Sequence, residues 1–229
     1  MTERTVEDRL REEYFTLLPD ARLVLEELKA EVGYCLLPLL KKLERHEKIT
    51  VISRIKECES ALGALRRRQE GAIFDPNRAG EYSLKALNDL AGVRVLAFPR
   101  TRWAEVNGLL RQHSQFTRWT SDPVLPTPND PDTQPLAFKY HGYCSRNGVV
   151  RAELQIAPML VGLFWDVEHS AIYKPSPQFK GVLAGMNERT NKVYEALKEF
   201  ESEFERLIRR DPLKARKRKK KKKKRGRNQ

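Results

Sequence analysis

The sequence predicts an α+β domain, and three observations support this class. Amphipathic helical patterns fill the first 70 residues. Runs of β-branched and aliphatic residues, which are typical of strands, follow at 86–99, 137–145 and 149–156. Helical patterns return after the last of these strands. Helices followed by mixed strands and helices indicate an α+β arrangement, and 229 residues are enough to bury one sizeable core.

Apolar residues at helical spacing predict three helices before the first strand. The first covers residues 4–17 and ends near Pro19, because proline breaks the interior of a helix. The second covers residues 20–46 and carries a leucine-rich stripe. The third is predicted from Thr50 to Gln69. It has few apolar residues, and one of its faces carries Lys56, Ser60, Ala64 and Arg67.

Strand and turn signals alternate through the middle of the chain. Pro99 closes the first strand, and Thr101 is a suitable N-cap for a helix to about Gln112. Proline and aspartate crowd residues 121–135, which predicts a loop before the other two strands. Two helices are then expected, one from Pro158 to about Tyr173 and one over 181–210. The second has an apolar seam of Val193, Leu197, Phe200, Phe204 and Leu207.

The net charge of +13 is concentrated at the C-terminal end. Twelve positive charges and no negative ones lie at or after Lys214, which leaves about +1 on the preceding residues. Such a run is typical of a disordered, solvated tail. We therefore expect a domain at 1–212 and a disordered Lys/Arg-rich tail at 213–229. The same tail suits nonspecific, salt-sensitive attraction to tRNA or ribosomes.

Cysteine usage and hydropathy indicate the compartment. The three cysteines are odd in number and lack metal-type spacing, so no disulfide framework is expected. No signal-peptide pattern and no apolar run long enough to cross a bilayer is present. We therefore expect a soluble, cytoplasmic protein with no membrane partner. The oligomeric state stays open.

The stretch RAELQIAP, at residues 151–158, raises a chemical question. It has the apolar content of a strand, yet Glu153 and Gln155 lie in its middle. Side chains alternate between the two faces of a strand, so these two polar groups point the same way. Placing a carboxylate and an amide there costs free energy unless both have partners.

Four segments, in the same order and at similar spacing, resemble the RelA/SpoT-type alarmone synthetases. Residues 53–68 (SRIKECESALGALRRR) resemble the basic helix of that family, and 88–95 (NDLAGVRV) its Asp-x-x-Gly-hydrophobic-Arg strand. Residues 138–143 (FKYHGY) resemble the substrate loop. Residues 152–174 contain both the Glu-x-Gln strand and the Glu-His…Tyr-Lys helix end. The likeness covers roughly 50–175 and is nearest to the small single-domain synthetases. It implies a nucleotidyltransferase-like fold, with a mixed sheet of about five strands flanked by helices.

The resemblance also implies a reaction, the transfer of the β,γ-pyrophosphate of ATP to the ribose 3′-hydroxyl of GDP or GTP with Mg²⁺. By the same likeness, Asp89 and Glu153 are the catalytic residues and the metal ligands. Glu153 is a metal ligand, a general base for the 3′-hydroxyl, or both. Magnesium prefers carboxylate and phosphate oxygens. Because the nucleophile belongs to the substrate, positioning and charge neutralisation are expected to carry the catalysis.

The remaining site residues follow from the same likeness. Fixed cations suit a triphosphate, and the ATP-binding set is Arg54, Lys56, Ser60, and Arg67 or Arg68. Tyr140 is expected to stack on the base of the acceptor. The whole acceptor-binding set is Lys139, Tyr140, Gln155, His169 and Lys174. The structural alternatives are a strand-entry turn at Asp89, an ion pair of Glu153 with Arg94 or Arg151, and core packing of Tyr140.

Two other functions are compatible with the sequence. In the first, the acceptor is the 3′ end of tRNA. The basic tail suits such an acceptor, and so does a substrate loop that has Phe138-Lys139 where the family usually has Asn-Gly. In the second, a degenerate synthetase fold binds RNA or the ribosome through its tail without catalysis. The presence of both Asp89 and Glu153 argues against this second reading, because a fold without activity has no reason to keep two costly carboxylates.

Overall fold

The computed structural model describes residues 5–113, 119–125, 135–144, 148–168 and 186–210. These ranges hold five α-helices, five strands and three short 3₁₀ segments. No helix in them is both long and apolar enough to cross a membrane. The basic tail lies outside the described residues. The helices are α1 (Val6–Leu40), α2 (Cys58–Arg66), α3 (Arg100–Gln112), α4 (Met159–Glu168) and α5 (Met186–Arg210), and the strands are β1 (Lys48–Ile55), β2 (Ala91–Phe98), β3 (Thr120–Val124), β4 (Ala137–Cys144) and β5 (Arg151–Pro158).

The five strands form one mixed sheet in the order β1-β2-β5-β4-β3. The central pair, β2 and β5, is parallel, and the other neighbours are antiparallel. Helices α1 and α3 pack on one face and bury most of the core. Helix α4 packs on the other face, where Gly162 approaches Leu96 of β2 so closely that a side chain at Gly162 would meet it. The predicted α+β class and mixed five-stranded sheet are confirmed.

Helix α1 is one continuous helix of 35 residues, so the predicted break at Pro19 is wrong. It begins with a capping box between Thr5 and Asp8. Pro19 lies on the exposed side of the helix, where water can reach the carbonyl that loses its amide partner. Buried Leu17 and Ala21 continue the core-facing stripe on either side of it. Burial of that stripe outweighs the roughly 3 kcal/mol that an interior proline costs.

The predicted helix from Thr50 to Gln69 is wrong in its first half. Residues Lys48–Ile55 form β1, which pairs antiparallel with β2 along its whole length. The β-branched residues Ile49, Val51 and Ile55 all pack against the core. They are separated by even numbers of residues, including a step of two, which places them on one face of a strand and does not fit a helix. Only α2 forms from the second half of this stretch.

The predicted loop at 121–135 is wrong in its first residues, because β3 pairs antiparallel with β4 there. Pro123 is tolerated because β3 is an edge strand and needs hydrogen bonds on one side only. The two later strands are confirmed close to their predicted bounds, as is α3, although Pro99 rather than Thr101 is its N-cap. The predicted continuation of α4 to Tyr173 and the start of the last helix at 181 lie outside the described residues.

Helix α5 docks through buried polar side chains and through the aromatic residues Tyr194 and Phe204, while much of its predicted apolar seam is exposed. Phe200 and Leu207 are 56% and 57% exposed. Glu205 accepts a hydrogen bond of 2.7 Å from the backbone amide of Thr101 in the first turn of α3, where a carboxylate is favoured by the helix dipole. Glu201 is fully buried. Burial raises the pKa of Glu201 to about 7, although the guanidinium of Arg100 opposes this shift.

The raised pKa makes α5 docking dependent on pH. Below the ordinary pKa of 4.5 the carboxyl of Glu201 is neutral in both states, and stability is unaffected. Between 4.5 and about 7 the unfolded chain releases this proton first, so the folded state loses up to about 3 kcal/mol as the pH rises. Glu201→Gln removes the titration. We expect the stability of the variant relative to wild type to increase by that amount from pH 4 to pH 8, as measured by urea unfolding.

The exposed Glu199 on the same helix supplies the control, because Glu199→Gln should show no such trend. A difference between Glu201→Gln and wild type that stays constant from pH 4 to pH 8 would contradict the buried, titrating carboxylate.

Candidate functional site

A groove crosses the sheet on the face opposite α1 and α3. Its volume is about 760 Å³, which is within the range of small-molecule sites. Helices α2, α4 and α5 also contribute side chains to its walls. Because the strand order is β1-β2-β5-β4-β3, the floor of the groove is formed, from one edge of the sheet to the other, by Arg54, Arg94, Glu153, Gln155, Lys139 and Val124.

The β1 end of the groove is cationic. All four predicted ATP-binding residues line it, but they come from β1, from α2 and from the residues that directly follow each, rather than from one helical face. Arg54 is on β1, Lys56 follows the strand, Ser60 is on α2 and Arg67 directly follows α2. Arg68, the alternative to Arg67, instead donates a 3.0 Å hydrogen bond to the carbonyl of Ala86. The prediction that one helical face carries these residues was wrong, yet Lys56, Ser60 and Arg67 do line the same end of the groove.

Asp89 lies where the cationic end meets the middle of the groove. It precedes β2, and its carboxylate forms a short ion pair with the ammonium of Lys56. The side chain of Asp89 is 29% exposed, so its carboxylate is accessible from the groove. The ion pair is compatible both with a metal ligand and with the structural alternative, a strand-entry turn residue, so the role of Asp89 stays a prediction.

Glu153 and Gln155 answer the question raised by their strand. The amide nitrogen of Gln155 donates a short hydrogen bond to Glu153, and its oxygen accepts one of 2.9 Å from Nε of Arg94. Arg94 also pairs with Asp166 of α4 at 2.6 Å. Both Glu153 and Gln155 are 8% exposed, so these bonds fix their orientation. Because both ends of the Gln155 amide bond to protein groups, the geometry favours a positioning role over direct acceptor contact.

His141 of β4 is a second neighbour of Glu153 that the sequence analysis did not identify. Its Cα lies opposite Glu153 in the antiparallel ladder. Its Nδ1 lies 3.7 Å from Oε2 of Glu153, and its Nε2 lies 3.5 Å from Oδ2 of Asp122. Both distances exceed ordinary hydrogen-bond lengths. His141 therefore lies beside Glu153 without a hydrogen bond that would fix either side chain.

Asp89 and Glu153 fit a magnesium ion that is held partly by substrate. Glu153 of β5 pairs in register with Gly92 of β2, and Asp89 lies just before β2, so one carboxylate comes from β5 and the other from the entry to its parallel neighbour. No cluster of three or more His, Cys, Asp or Glu side chains suited to a metal occurs in the described ranges. Magnesium commonly takes one or two carboxylates and completes its shell with water and phosphate oxygens. The donor set matches that pattern and not an all-protein metal cage.

The prediction that Tyr140 stacks on the acceptor base is wrong for this structure. Tyr140 is 1% exposed and lies on the core face of β4, opposite Leu154. Its hydroxyl donates a 2.5 Å hydrogen bond to Asn107 of α3. The core-packing alternative holds here, because Lys139 and Tyr140 alternate faces and Lys139 faces the groove. His169 and Lys174 lie outside the described residues, so their assignment stays a prediction.

The β3 end of the groove is apolar and aromatic, a feature absent from the sequence analysis. Val124, Leu125 and Leu136 line it together with Trp165 of α4. Polar groups at its rim come from Glu168 of α4 and from Asn191 and Tyr194 of α5. For Trp165 the sequence signal was a hydrophobic helix pattern, which does not distinguish a groove wall from core packing, and Val124 and Leu125 lay in the predicted loop.

Solved structures that match this chain include small alarmone synthetases and a GTP pyrophosphokinase family protein. The chain matches small alarmone synthetase 1 from Bacillus subtilis bound to its product pppGpp, with 19% identity, a TM-score of 0.56, and coverage of 85% of this chain and 99% of that chain. The same Bacillus subtilis protein bound to AMPCPP matches with 19% identity, a TM-score of 0.51, and coverage of 84% and 97%.

A GTP pyrophosphokinase family protein from Streptococcus pneumoniae matches with 19% identity, a TM-score of 0.58, and coverage of 88% and 94%. No protein-family model matches the chain, and no curated protein matches it by sequence. The chain therefore has the synthetase fold that its four segments implied.

The cationic end of the groove should bind the phosphates of ATP. Arg54→Ala removes a guanidinium there, and a hydrogen bond to a charged group is worth about 1.5–3 kcal/mol. We expect the dissociation constant of MgATP, measured by calorimetry without an acceptor, to rise by about tenfold or more. Arg78→Ala is a matched control, because Arg78 is exposed and pairs with Glu81 outside the groove. Equal ATP affinity in wild type and Arg54→Ala would show that the phosphates bind elsewhere.

Proposed function

We propose that the protein is a magnesium-dependent pyrophosphokinase that transfers the β,γ-pyrophosphate of ATP to the ribose 3′-hydroxyl of GDP or GTP. The observation that carries the proposal is the order of groups along the groove. Cations lie at its β1 end, the carboxylates Asp89 and Glu153 in its middle, and apolar and aromatic side chains at its β3 end. When two nucleotides bind with their reacting atoms together, the triphosphate of one needs cations, the reaction centre needs carboxylates, and the base of the other needs an apolar surface, in this order.

The donor nucleotide is assigned to the β1 end. Arg54, Lys56 and Arg67 supply three positive charges for a triphosphate, and Ser60 adds a hydroxyl. The shared fold supports a nucleotide as donor, since one solved relative is bound to AMPCPP, an analogue of ATP. With the phosphates at this end, the β-phosphorus lies near Asp89 and Glu153.

Asp89 and Glu153 would hold the magnesium ion, which, when bound, neutralises charge on the phosphate oxygens. Asp89 needs no rearrangement of the backbone for this, because it already lies in the groove beside Lys56. The ammonium of Lys56 can exchange its contact with Asp89 for a phosphate oxygen. This exchange keeps both charges paired throughout.

Glu153 is the residue best placed to take the proton of the acceptor. The 3′-oxygen bonds to the β-phosphorus of ATP, the bond from that phosphorus to the α,β-bridging oxygen breaks, and AMP leaves with that oxygen. The proton of the 3′-hydroxyl passes to the carboxylate of Glu153, whose orientation Gln155 fixes. No protein nucleophile takes part.

The basic tail favours one second candidate, in which the same transfer modifies the 3′ end of tRNA. Twelve cations at or after Lys214 would attract a polyanion and lose affinity steeply as salt rises. A mononucleotide carries too little charge to engage such a tail. The two candidates therefore differ in their dependence on residues 213–229.

Incubation of the protein with β-labelled ATP and separate acceptors tests the proposal. We expect label to appear on GDP or GTP as a 3′-pyrophosphate, with AMP formed in equal amount. Deletion of residues 213–229 should leave this turnover within about twofold, a shift below about 1 kcal/mol. Transfer to tRNA alone, with loss on deletion of the tail, would establish the second candidate instead. Label on neither acceptor would refute both.

Asp89→Asn and Glu153→Gln should each abolish the transfer while the fold survives. Each change keeps the shape of the side chain and removes one negative charge, and we expect a loss of at least about 10²-fold in kcat. Glu59→Gln, on an exposed position of α2, is the control and should keep full activity. Near-normal turnover of either groove variant at saturating magnesium would contradict the site assignment. Circular dichroism verifies that the variants fold.

A further inference from the structure

We infer that Trp165 is the platform on which the purine base of the acceptor stacks, a role that rests on the proposed function. Trp165 lies on α4 and lines the β3 end of the groove with Val124 and Leu136. Nucleobases stack on aromatic side chains whatever their sequence, because every base has a π-face. The geometry replaces Tyr140, which the structure buries, with an aromatic residue from a different element.

Trp165 is held rigidly enough to serve as a platform. It is only partly exposed and packs against two apolar clusters, one around Leu96 of β2 and one around Leu136. Its indole also lies close to the hydroxyl of Tyr194, which in turn donates a short hydrogen bond to Glu168. Burial raises the pKa of Tyr194, so the phenol stays protonated and keeps donating.

Among the described residues that line the groove, the aromatic ones are Trp165 and Tyr194. Tyr194 is 4% exposed and its ring packs edge-on against Phe164, with centroids 5.1 Å apart. It therefore has no free face for a base. Trp165 is partly exposed and lines the groove, so among the described residues it is the aromatic surface available to a ligand there.

The spacing of the sheet assigns this surface to the acceptor rather than to ATP. Neighbouring strands lie about 4.8 Å apart, so Glu153 on β5 is roughly 10 Å from the level of β3 and equally far from β1 on the other side. The triphosphate of ATP can span the distance from Glu153 to the cations at β1. The β3 side, where Trp165 packs against Val124, then receives the base of the nucleotide whose 3′-hydroxyl faces Glu153.

Direct binding tests the platform without relying on catalysis. Removal of one stacking aromatic typically weakens base binding by about tenfold or more. We expect Trp165→Leu to raise the dissociation constant of GDP by that factor in calorimetry, while Trp165→Phe, which keeps an aromatic face, stays within about threefold of wild type. Neither variant should change the affinity for MgATP. Intrinsic fluorescence should be quenched by GDP in wild type and not in Trp165→Phe.

Trp119→Phe provides the matched control, because Trp119 packs against the core near Tyr140 rather than in the groove. It should retain both GDP affinity and quenching. Three results would each overturn the platform. Trp165→Leu could bind GDP as tightly as wild type, it could lose affinity for MgATP instead of GDP, or the wild-type protein could bind no GDP. GDP binding that depends on Trp165 without any 3′-pyrophosphorylated product would instead preserve the platform and refute the proposed function.

Discussion

The site depends on one constraint, the need to satisfy a carboxylate buried in the middle of a sheet. Glu153 is 8% exposed, and an unpartnered charge at that depth would cost several kcal/mol. Its partner is Gln155, two residues along the same strand, and Gln155 is fixed in turn by Arg94 of the neighbouring strand. The parallel register of β2 and β5 sets Arg94 directly opposite Gln155, so the sheet itself aims the carboxylate into the groove.

The rest of the groove is arranged around that point by strand order. The antiparallel edge strand β1 brings Arg54, and the connection from β1 to α2 brings Lys56, so the cations collect on one side. On the other side β4 and β3 supply apolar residues, against which α4 packs Trp165. The pair between Arg94 and Asp166 ties α4 to the same network that holds Glu153. Charge, carboxylates and aromatic surface therefore follow one another across a single rigid sheet.

The sequence predicted the alternation of Glu153 and Gln155, since the period of a strand is local information. It also identified Arg54 and Lys56 but placed them on a helix. The helical pattern holds only from Cys58 onward, and the prediction extended it back over the residues that form β1. Tyr140 and Trp165 could not be assigned correctly, since strand register and the docking of α4 decide which face each side chain meets. Those are tertiary facts, and an apolar pattern gives the same signal for a core residue and for the wall of a groove.

The central claim, that Gln155 positions Glu153 and does not bind the acceptor, is tested most directly by steady-state kinetics of Gln155→Met. Methionine keeps the length of the side chain and removes both hydrogen bonds, and a small misplacement of a reacting group can reduce the rate by about 10²-fold. With GDP as acceptor, we predict a kcat at least tenfold lower and a KM for GDP within about twofold of wild type. The exposed Gln112 at the end of α3 provides the control variant Gln112→Met. An unchanged kcat with a raised KM for GDP would contradict the claim and make Gln155 a direct ligand of the acceptor.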